Sequence, residues 1–370
     1  MESADRRWLV SERSPDGSDV PFMARLEAAG RRLPEHRLTT DELMATTRHH
    51  TRIDLERLTG IRERRVSNGD DDSLSLAVAA AQDCLAHSRY EAAELEVVIS
   101  CSITKYRDEL TQWLEPTMSV AVANAIGASN AMAFDLSNAC AGMLTGVFIL
   151  NNWIRLGMVH RGMVVSGEYI SQLGENAAKH VRNIMSRELA SLTLGDAGAA
   201  LILERTTDGA PGIGFTGFTT VADHSRLCLA YPAKHDPGAR MFTKSRAIHQ
   251  MAIKDTTPLL REALDAAGID IGDVDCVIPH QTSARAIRKG MAEVTEALGG
   301  APKHDAVVTV DRYGNTASTT HTVALVEELE AGRLHAGDRV ALIALASGLE
   351  IGIVLLTLDD ELVDRYGNHD

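Results

Sequence analysis

Short apolar runs alternate with longer stretches of helical periodicity along most of the chain. Leu74–Leu85 is an Ala-rich helical stretch that leads into the strand-like run Leu95-Glu-Val-Val-Ile-Ser100. The run Ala131-Met-Ala-Phe-Asp135 ends in a polar turn, after which Ala141–Leu156 reads as a buried helix and Gly162–Ser166 as a further strand. The same order then returns. Helical Thr257–Ala267 leads to Val274-Asp-Cys-Val-Ile-Pro279, and the strand-like Ala306-Val-Val-Thr-Val-Asp311 precedes helical Ala317–Leu329 and strand-like Arg339–Leu345.

Spacing supports the repeat. Ile99 to Asp135 is 36 residues and Ile278 to Asp311 is 33. Both helices close on a Gly-x-hydrophobic-His element, Gly157-Met-Val-His160 and Gly332-Arg-Leu-His335, 22 and 21 residues beyond the two aspartates. Shared order, element type and spacing imply an internal duplication, with halves at residues 1–205 and 206–370. Strands alternating with helices predict an α/β fold built on mostly parallel sheets with right-handed crossovers.

In such sheets reactive groups gather where strands end and helices begin. In the first half that junction is Phe134-Asp-Leu-Ser-Asn-Ala-Cys-Ala-Gly-Met143, with Cys140 near the start of the helix. The helix dipole and unpaired N–H groups there favour thiolate over thiol, and a thiolate is a good nucleophile toward an acyl group. In the second half the matching turn is Asp311-Arg-Tyr-Gly-Asn-Thr316, which sets Asn315 one place before the Cys-equivalent position. The upstream strand of that half ends in Pro279-His280-Gln281. The upstream strand of the first half ends in Ser100-Cys-Ser-Ile-Thr104 and a loop carrying Glu115-Pro116. Packing of the halves about a pseudo-two-fold axis would bring Cys140, His280 and Asn315 together: a nucleophile, a base or hydrogen-bond donor, and an amide for a carbonyl or enolate oxygen. Singly, Cys140 would be a small buried residue and the other two ordinary turn residues.

The segments FDLSNACAGM, VIPHQTSARAI and DRYGNTAS resemble the three active-site motifs of β-ketoacyl-acyl carrier protein synthase III. Thr59-Gly-Ile-Arg-Glu-Arg-Arg65 and Leu194-Gly-Asp-Ala-Gly-Ala-Ala200 are similar to that family too, so the resemblance runs from about Leu33 to Leu358. It implies a thiolase fold, two similar halves in a five-layered α-β-α-β-α sandwich, and a homodimer. It implies that Cys140 takes an acyl group from a thioester and that His280 and Asn315 support condensation with a second one. The backbone N–H groups of Cys140 and Ser347 would form the oxyanion hole. Leu114-Glu115-Pro116-Thr117 resembles the Leu-Glu-Pro-Ser segment of OleA-type head-to-head condensing enzymes, and pyrone-forming ketosynthases carry such a glutamate. There the glutamate reaches across the dimer and removes an α-proton, a role for which a desolvated, strengthened carboxylate base suits. Glu115 is otherwise a solvated loop acid. The chain departs from the family in having no Trp shortly before Thr59-Gly-Ile-Arg62, and in having Ala346-Ser-Gly-Leu349 where a glycine run is usual. A carrier-protein donor is therefore as open as coenzyme A. Decarboxylative condensation with a malonyl carrier protein, acyl transfer to oxygen or nitrogen, and a silent partner subunit are the alternatives.

Bulk properties narrow the remainder. A chain of 370 residues that is 45% hydrophobic can build a large core, which Ala, Val, Leu and Ile must fill because aromatics are 4%. The formal charge of −14 disfavours nonspecific nucleic-acid binding. Arg285, Arg288 and Lys289 follow His280 on a predicted helix and could meet a pantetheine phosphate or an acidic carrier protein, or be a solvated face. The five scattered cysteines (Cys84, Cys101, Cys140, Cys228, Cys276) show no metal or disulfide spacing and fit a reducing cytoplasm. No metal or cofactor is expected beyond the pantetheine arm of the substrate. The N-terminus lacks a secretion-signal core and no run suits a bilayer span, so no membrane insertion is expected. Residues 1 to about 20 and the tail 359–370 read as polar extensions, and Thr47-Arg-His-His-Thr-Arg52 as a solvated helix or loop rather than a metal or nucleic-acid site.

Overall fold

The computed structural model describes residues 7–11 (backbone only), 23–69, 71–107, 110–206 and 210–367. Two five-stranded sheets organise it. The amino-terminal sheet runs Met23–Arg32, Ala197–Thr206, Arg161–Glu168, Val97–Ser100, Met132–Asp135, and the carboxy-terminal one Arg7–Ser11, Ile213–Thr220, Glu350–Thr357, Arg339–Ala346, Cys276–Pro279.

Helices fill three layers around the sheets. Ser73–Ala86 and Met118–Ile126 cover the outer face of the first sheet, and Ser245–Ala267 with Ala284–Leu298 cover that of the second. Gly142–Arg155 and Thr320–Glu330 lie between the sheets and share one apolar core with both. Two further apolar clusters sit under the outer helices. This is the five-layered α-β-α-β-α arrangement of the thiolase fold. A helix buried on both sides must be apolar nearly all round, as in the run Met143-Leu-Thr-Gly-Val-Phe-Ile-Leu150.

The duplication is tighter than the aspartate alignment implies. The central helices begin at Gly142 and Thr320 and the following strands at Arg161 and Arg339, a constant offset of 178 residues. The same offset relates the short 3₁₀ turns Ala139–Ala141 and Ala317–Thr319. Ser318, not Thr316, is thus the counterpart of Cys140, and Asn315 precedes that counterpart by three positions.

Several expectations are corrected. The sheets are mixed: Val97–Ser100 is parallel to both neighbours, but Arg161–Glu168, Ala197–Thr206 and Met23–Arg32 are successively antiparallel, and only one pair of the second sheet is parallel. The segment Ala306–Asp311 is not a strand. Val307 donates one bond to the Val277 carbonyl, after which the Gln281 carboxamide accepts from the amides of Thr309 and Val310 and starts the short helix Val310–Tyr313. The Gln281 side chain also donates to the carbonyls of Pro279 and Val307, so it occupies the ladder's place.

The ends are structured as well. Arg7–Ser11 pairs with Ile213–Thr220, and the tail forms helix Asp360–Tyr366. Tyr366 is buried there, with its ring stacked on His87 at 4.5 Å and its hydroxyl accepting from the Ala29 amide at 2.8 Å.

Helix Ser73–Ala86 lies directly on glycines of three adjacent strands. A Cβ at Gly198 would stand 2.0 Å from the Leu76 carbonyl oxygen and one at Gly167 2.0 Å from that of Ser73. Gly198→Ala is expected to destabilise the fold by about 3 kcal/mol, since the clash is with helix backbone that cannot rotate away. A urea unfolding midpoint unchanged from wild type would contradict this packing.

Candidate active site

The strand Met132–Asp135 delivers the chain to the Cys140 turn. Asp135 fixes that delivery: its carboxylate takes Lys105 Nζ at 2.5 Å and the Ser119 and Met118 amides at 2.9 and 3.2 Å. Burial alone would raise its pKa, but these partners hold it below the ordinary carboxylate range. Ala139 then adopts a left-handed conformation, φ 45°, which turns the chain into the Gly142–Arg155 helix. Ala317, its counterpart, does the same at φ 56°. A non-glycine residue there stores on the order of 1–3 kcal/mol of strain, and such strain is typical of functional turns.

Cys140 is partly buried and packs on the cluster Ile170, Leu173, Leu194 and Ala317, on which Ala239 and Met241 also pack. The last two belong to the hairpin Cys228–Pro232/Ala239–Thr243. Gln172 and Asn176 hold that hairpin down, accepting from the Ala239 amide at 3.0 Å and donating to the Ala239 carbonyl at 3.0 Å. The expected thiolate is not the resting form. Burial pushes the Cys140 thiol well up, with the neighbouring Cys228 and Glu168 adding to it, and desolvation outweighs the helix terminus.

The turns Ala139–Ala141 and Ala317–Thr319 pack against each other, and the strand Arg339–Ala346 packs against the first of them. This seam gathers the other groups. Asn315 precedes the second turn. Its Oδ1 accepts from the Ala317 amide at 3.0 Å, its own amide donates to the Thr193 carbonyl, and its carbonyl accepts from Gly195. His280 follows Cys276–Pro279, donates its amide to the Ile343 carbonyl at 2.8 Å and is buried. Its Nδ1 has no hydrogen-bond partner among the described residues. Burial, and then the neighbouring His321, pushes its pKa down to about 3, so the ring is neutral at neutral pH. Ser347 is the half-buried first residue beyond Arg339–Ala346.

Other sequence candidates lie elsewhere. Glu115 is exposed in the single chain, with no hydrogen bond or ion pair to the seam among the described residues, so the desolvation that would strengthen it as a base is not supplied by its own chain. Arg285, Arg288 and Lys289 are exposed on the outer helix Ala284–Leu298, where Lys289 faces Glu293 at 3.6 Å. That helix is capped by Ser283, three residues after His280.

Two buried groups escaped the sequence reading. His321 lies 5.9 Å from His280, ring centroid to centroid, and shares the Ile343 carbonyl. Glu168 ends the strand that follows the nucleophile helix. Its position at a strand end was the available signal.

Comparison with known proteins decides the family. The family model for 3-oxoacyl-acyl-carrier-protein (ACP) synthase III matches residues 134–223, and that for its C-terminal part matches residues 264–358. The β-ketoacyl-acyl-carrier-protein synthase III of Symbiobacterium thermophilum is 30% identical over 311 residues, covering 80% of this chain and 87% of the relative. The chain belongs to the β-ketoacyl-acyl carrier protein synthase III family. The Erythrobacter litoralis synthase III is 25% identical over 337 residues, covering 90% and 98% of the two chains. The Aquifex aeolicus synthase III structure superposes with a TM-score of 0.76 at 25% identity, over 90% of this chain and all of the other. A structure of Xanthomonas campestris OleA in a glutamate variant matches at 0.79 and 23% identity, over 91% and 99%, which speaks for the fold alone. As a synthase III, the chain is a condensing enzyme of the acyltransferase class. The two matched segments hold Cys140 and, in turn, His280 and Asn315.

The two neutral histidines make stability pH-dependent. Their folded pKa values, about 3 for His280 and about 4 for His321, lie below the unfolded 6.5. The unfolded chain therefore binds more protons below pH 6.5, and stability falls as pH drops through that value. Each histidine is expected to remove about 2 kcal/mol by pH 5. Thermal midpoints between pH 7.5 and 5 should fall more steeply in wild type than in His280→Asn. Parallel curves would contradict a neutral buried His280.

Proposed function

We propose that this synthase III loads an acyl group on Cys140 from a coenzyme A or carrier-protein thioester and joins it to a second acyl thioester by Claisen condensation, giving a β-ketoacyl product. The observation that carries the reading is the seam itself: the Cys140 turn packs against the turn that follows Asn315, beside the strand to which His280 is bonded. The thiol is protonated at rest and His280 neutral, so the site takes up an uncharged thioester without first disrupting an ion pair. The backbone N–H groups of Cys140 and Ser347 then stabilise the tetrahedral oxyanion. In the second step the enolate oxygen is held by the donors on His280 and Asn315.

Two routes to the enolate differ in one residue. In the first, Glu115 from a second copy of the chain takes the α-proton, and the product enters secondary metabolism of the fatty-acid or polyketide kind. In the second, loss of carbon dioxide from a malonyl carrier protein supplies the carbanion. The exposure of Glu115 in one chain favours the second route for a monomer and the first only when a partner buries it. A homodimer is supported by the edge strand Met132–Asp135, free along one side, with Met132 at 59% and Leu114 at 75% exposure. Arg285 and Arg288, exposed near the His280 strand end, suit the phosphate of a pantetheine arm or an acidic carrier protein.

Paired isotopically labelled acyl thioesters, with and without a malonyl donor, test this. Cys140 should carry one acyl group in a single turnover by mass spectrometry, and Cys140→Ala none. On the first route Glu115→Gln lowers condensation of two simple acyl thioesters by about 100-fold or more. Unaltered turnover that requires malonyl carrier protein would select the second route. An ester or amide product without a ketone would end the condensation reading. Light scattering should give twice the chain mass, and Met132→Lys should shift it toward monomer.

A further inference from the structure

Beneath Cys140 lies a buried polar cluster that the mechanism above does not use. Glu168 is fully buried and accepts five hydrogen bonds. Its Oε1 receives the Ile103 amide at 2.9 Å, Ser318 Oγ at 2.5 Å and Ser166 Oγ at 3.2 Å. Its Oε2 receives the Thr104 amide at 3.1 Å and Thr104 Oγ1 at 2.9 Å. The Ser166 and Ser318 hydroxyls also lie 2.7 Å apart, where either can donate to the other only in place of its bond to Glu168. Ile103 and Thr104 belong to the first half and Ser318 to the second, so this one carboxyl ties the halves together at the seam.

The duplication shows what is particular about it. At the 178-residue offset Ser318 matches Cys140, Glu168 matches Ala346 and Ser166 matches Ala344. The strand Arg161–Glu168 packs on the Ser318 turn as Arg339–Ala346 packs on the Cys140 turn. One copy of the arrangement is thus a hydroxyl locked to a carboxylate. The other is Cys140 facing a strand end that carries Ala344 and Ala346, with no hydrogen bond from the thiol to another side chain among the described residues.

We propose that Glu168 is a positioning residue for condensation: through Ser318 it sets the Asn315-bearing turn against the Cys140 turn. Asn315 Oδ1 is held by the Ala317 amide, so the side chain moves with the Ser318 turn. The inference rests on the condensing reading above, because it assigns Asn315 to the second step. Glu168 also lies within electrostatic range of Cys140 and acts there to disfavour the thiolate.

Glutamine cannot replace Glu168 without loss. Each carboxyl oxygen faces a backbone N–H, from Ile103 on one side and Thr104 on the other. Either orientation of a carboxamide therefore sets its NH₂ against an obligate donor. Ser318→Ala is gentler, since it removes the link to the second half and leaves Glu168 four donors.

The test follows two half-reactions and one thiol titration. In Ser318→Ala and Glu168→Gln, condensation should fall about tenfold or more beyond any fall in Cys140 acylation, because small displacements of a positioned group are costly in the step that uses it. The pH profile of Cys140 alkylation by iodoacetamide should move to lower pH in Glu168→Gln and stay in place in Ser318→Ala. Condensation and acylation falling together with the thermal midpoint, under an unmoved alkylation profile, would overturn the proposal. So would wild-type condensation in Ser318→Ala, which does not depend on the glutamine variant folding. Absence of acyl transfer to wild-type Cys140 would instead overturn the condensing reading, while the alkylation profile, which needs no substrate, still reports on Glu168.

Discussion

The constraint behind the whole arrangement is that two helices, Gly142–Arg155 and Thr320–Glu330, must be buried on both sides between two sheets. A helix in that position cannot present a polar face to water, so its only chemically active part is its first turn. The duplication places the two first turns against each other. The reactive groups are therefore not on the surface of a cleft but at the seam where two buried helices start. Their separation is set by sheet packing rather than by flexible loops. The hairpin from Cys228 to Thr243 packs on the same apolar cluster as Cys140 and is pinned to Gln172 and Asn176.

Enclosure decides the electrostatics. A thiol at a helix start would be acidified in water-accessible surroundings, yet here desolvation dominates and the thiol is pushed up. The same loss of water holds His280 and His321 neutral. A neutral imidazole is a hydrogen-bond donor with one nitrogen and an acceptor with the other. A charged imidazolium in this pocket would be too costly to maintain. Glu168 adds to the rise at Cys140, and its own carboxyl is pushed up by burial against the pull of the hydrogen bonds from Ile103, Ser318 and Thr104.

That Cys140, His280 and Asn315 meet at one seam was legible because strand ends and helix starts gather in an α/β pattern, and because the motif resemblance pointed to the same three positions. The central helices and most parallel strands were legible from periodicity. What was not legible depended on tertiary partners. The antiparallel strands Ala197–Thr206 and Glu350–Thr357 are as apolar as parallel ones, because both faces are covered. Ala306–Asp311 has strand-like composition, but a single side chain, Gln281, takes over its hydrogen bonds. The tail helix is polar on average and is held by buried Leu362 and Tyr366 and by ion pairs of Arg365 with Glu27 and of Glu361 with Arg25 and Arg89, partners that no period reveals. The aspartate alignment missed the Cys140 counterpart by two positions, because the second half inserts a short helix between its aspartate and its turn.

The offset of 178 residues shows how one fold unit serves two purposes. In both halves an alanine in a left-handed conformation turns the chain so that the next side chain points into the seam. Where that side chain is Ser318, the facing strand end carries Glu168, and the pair closes into a short hydrogen bond with no free valence left for a ligand. Where it is Cys140, the facing strand ends in Ala346, and the residue packs on an apolar cluster with Cys228 and Glu168 within electrostatic range. Reactivity needs an unsatisfied group, and stability needs a satisfied one. A duplicated scaffold can hold one of each at equivalent positions, so the lock in one half supplies the rigidity that the open thiol in the other cannot provide for itself.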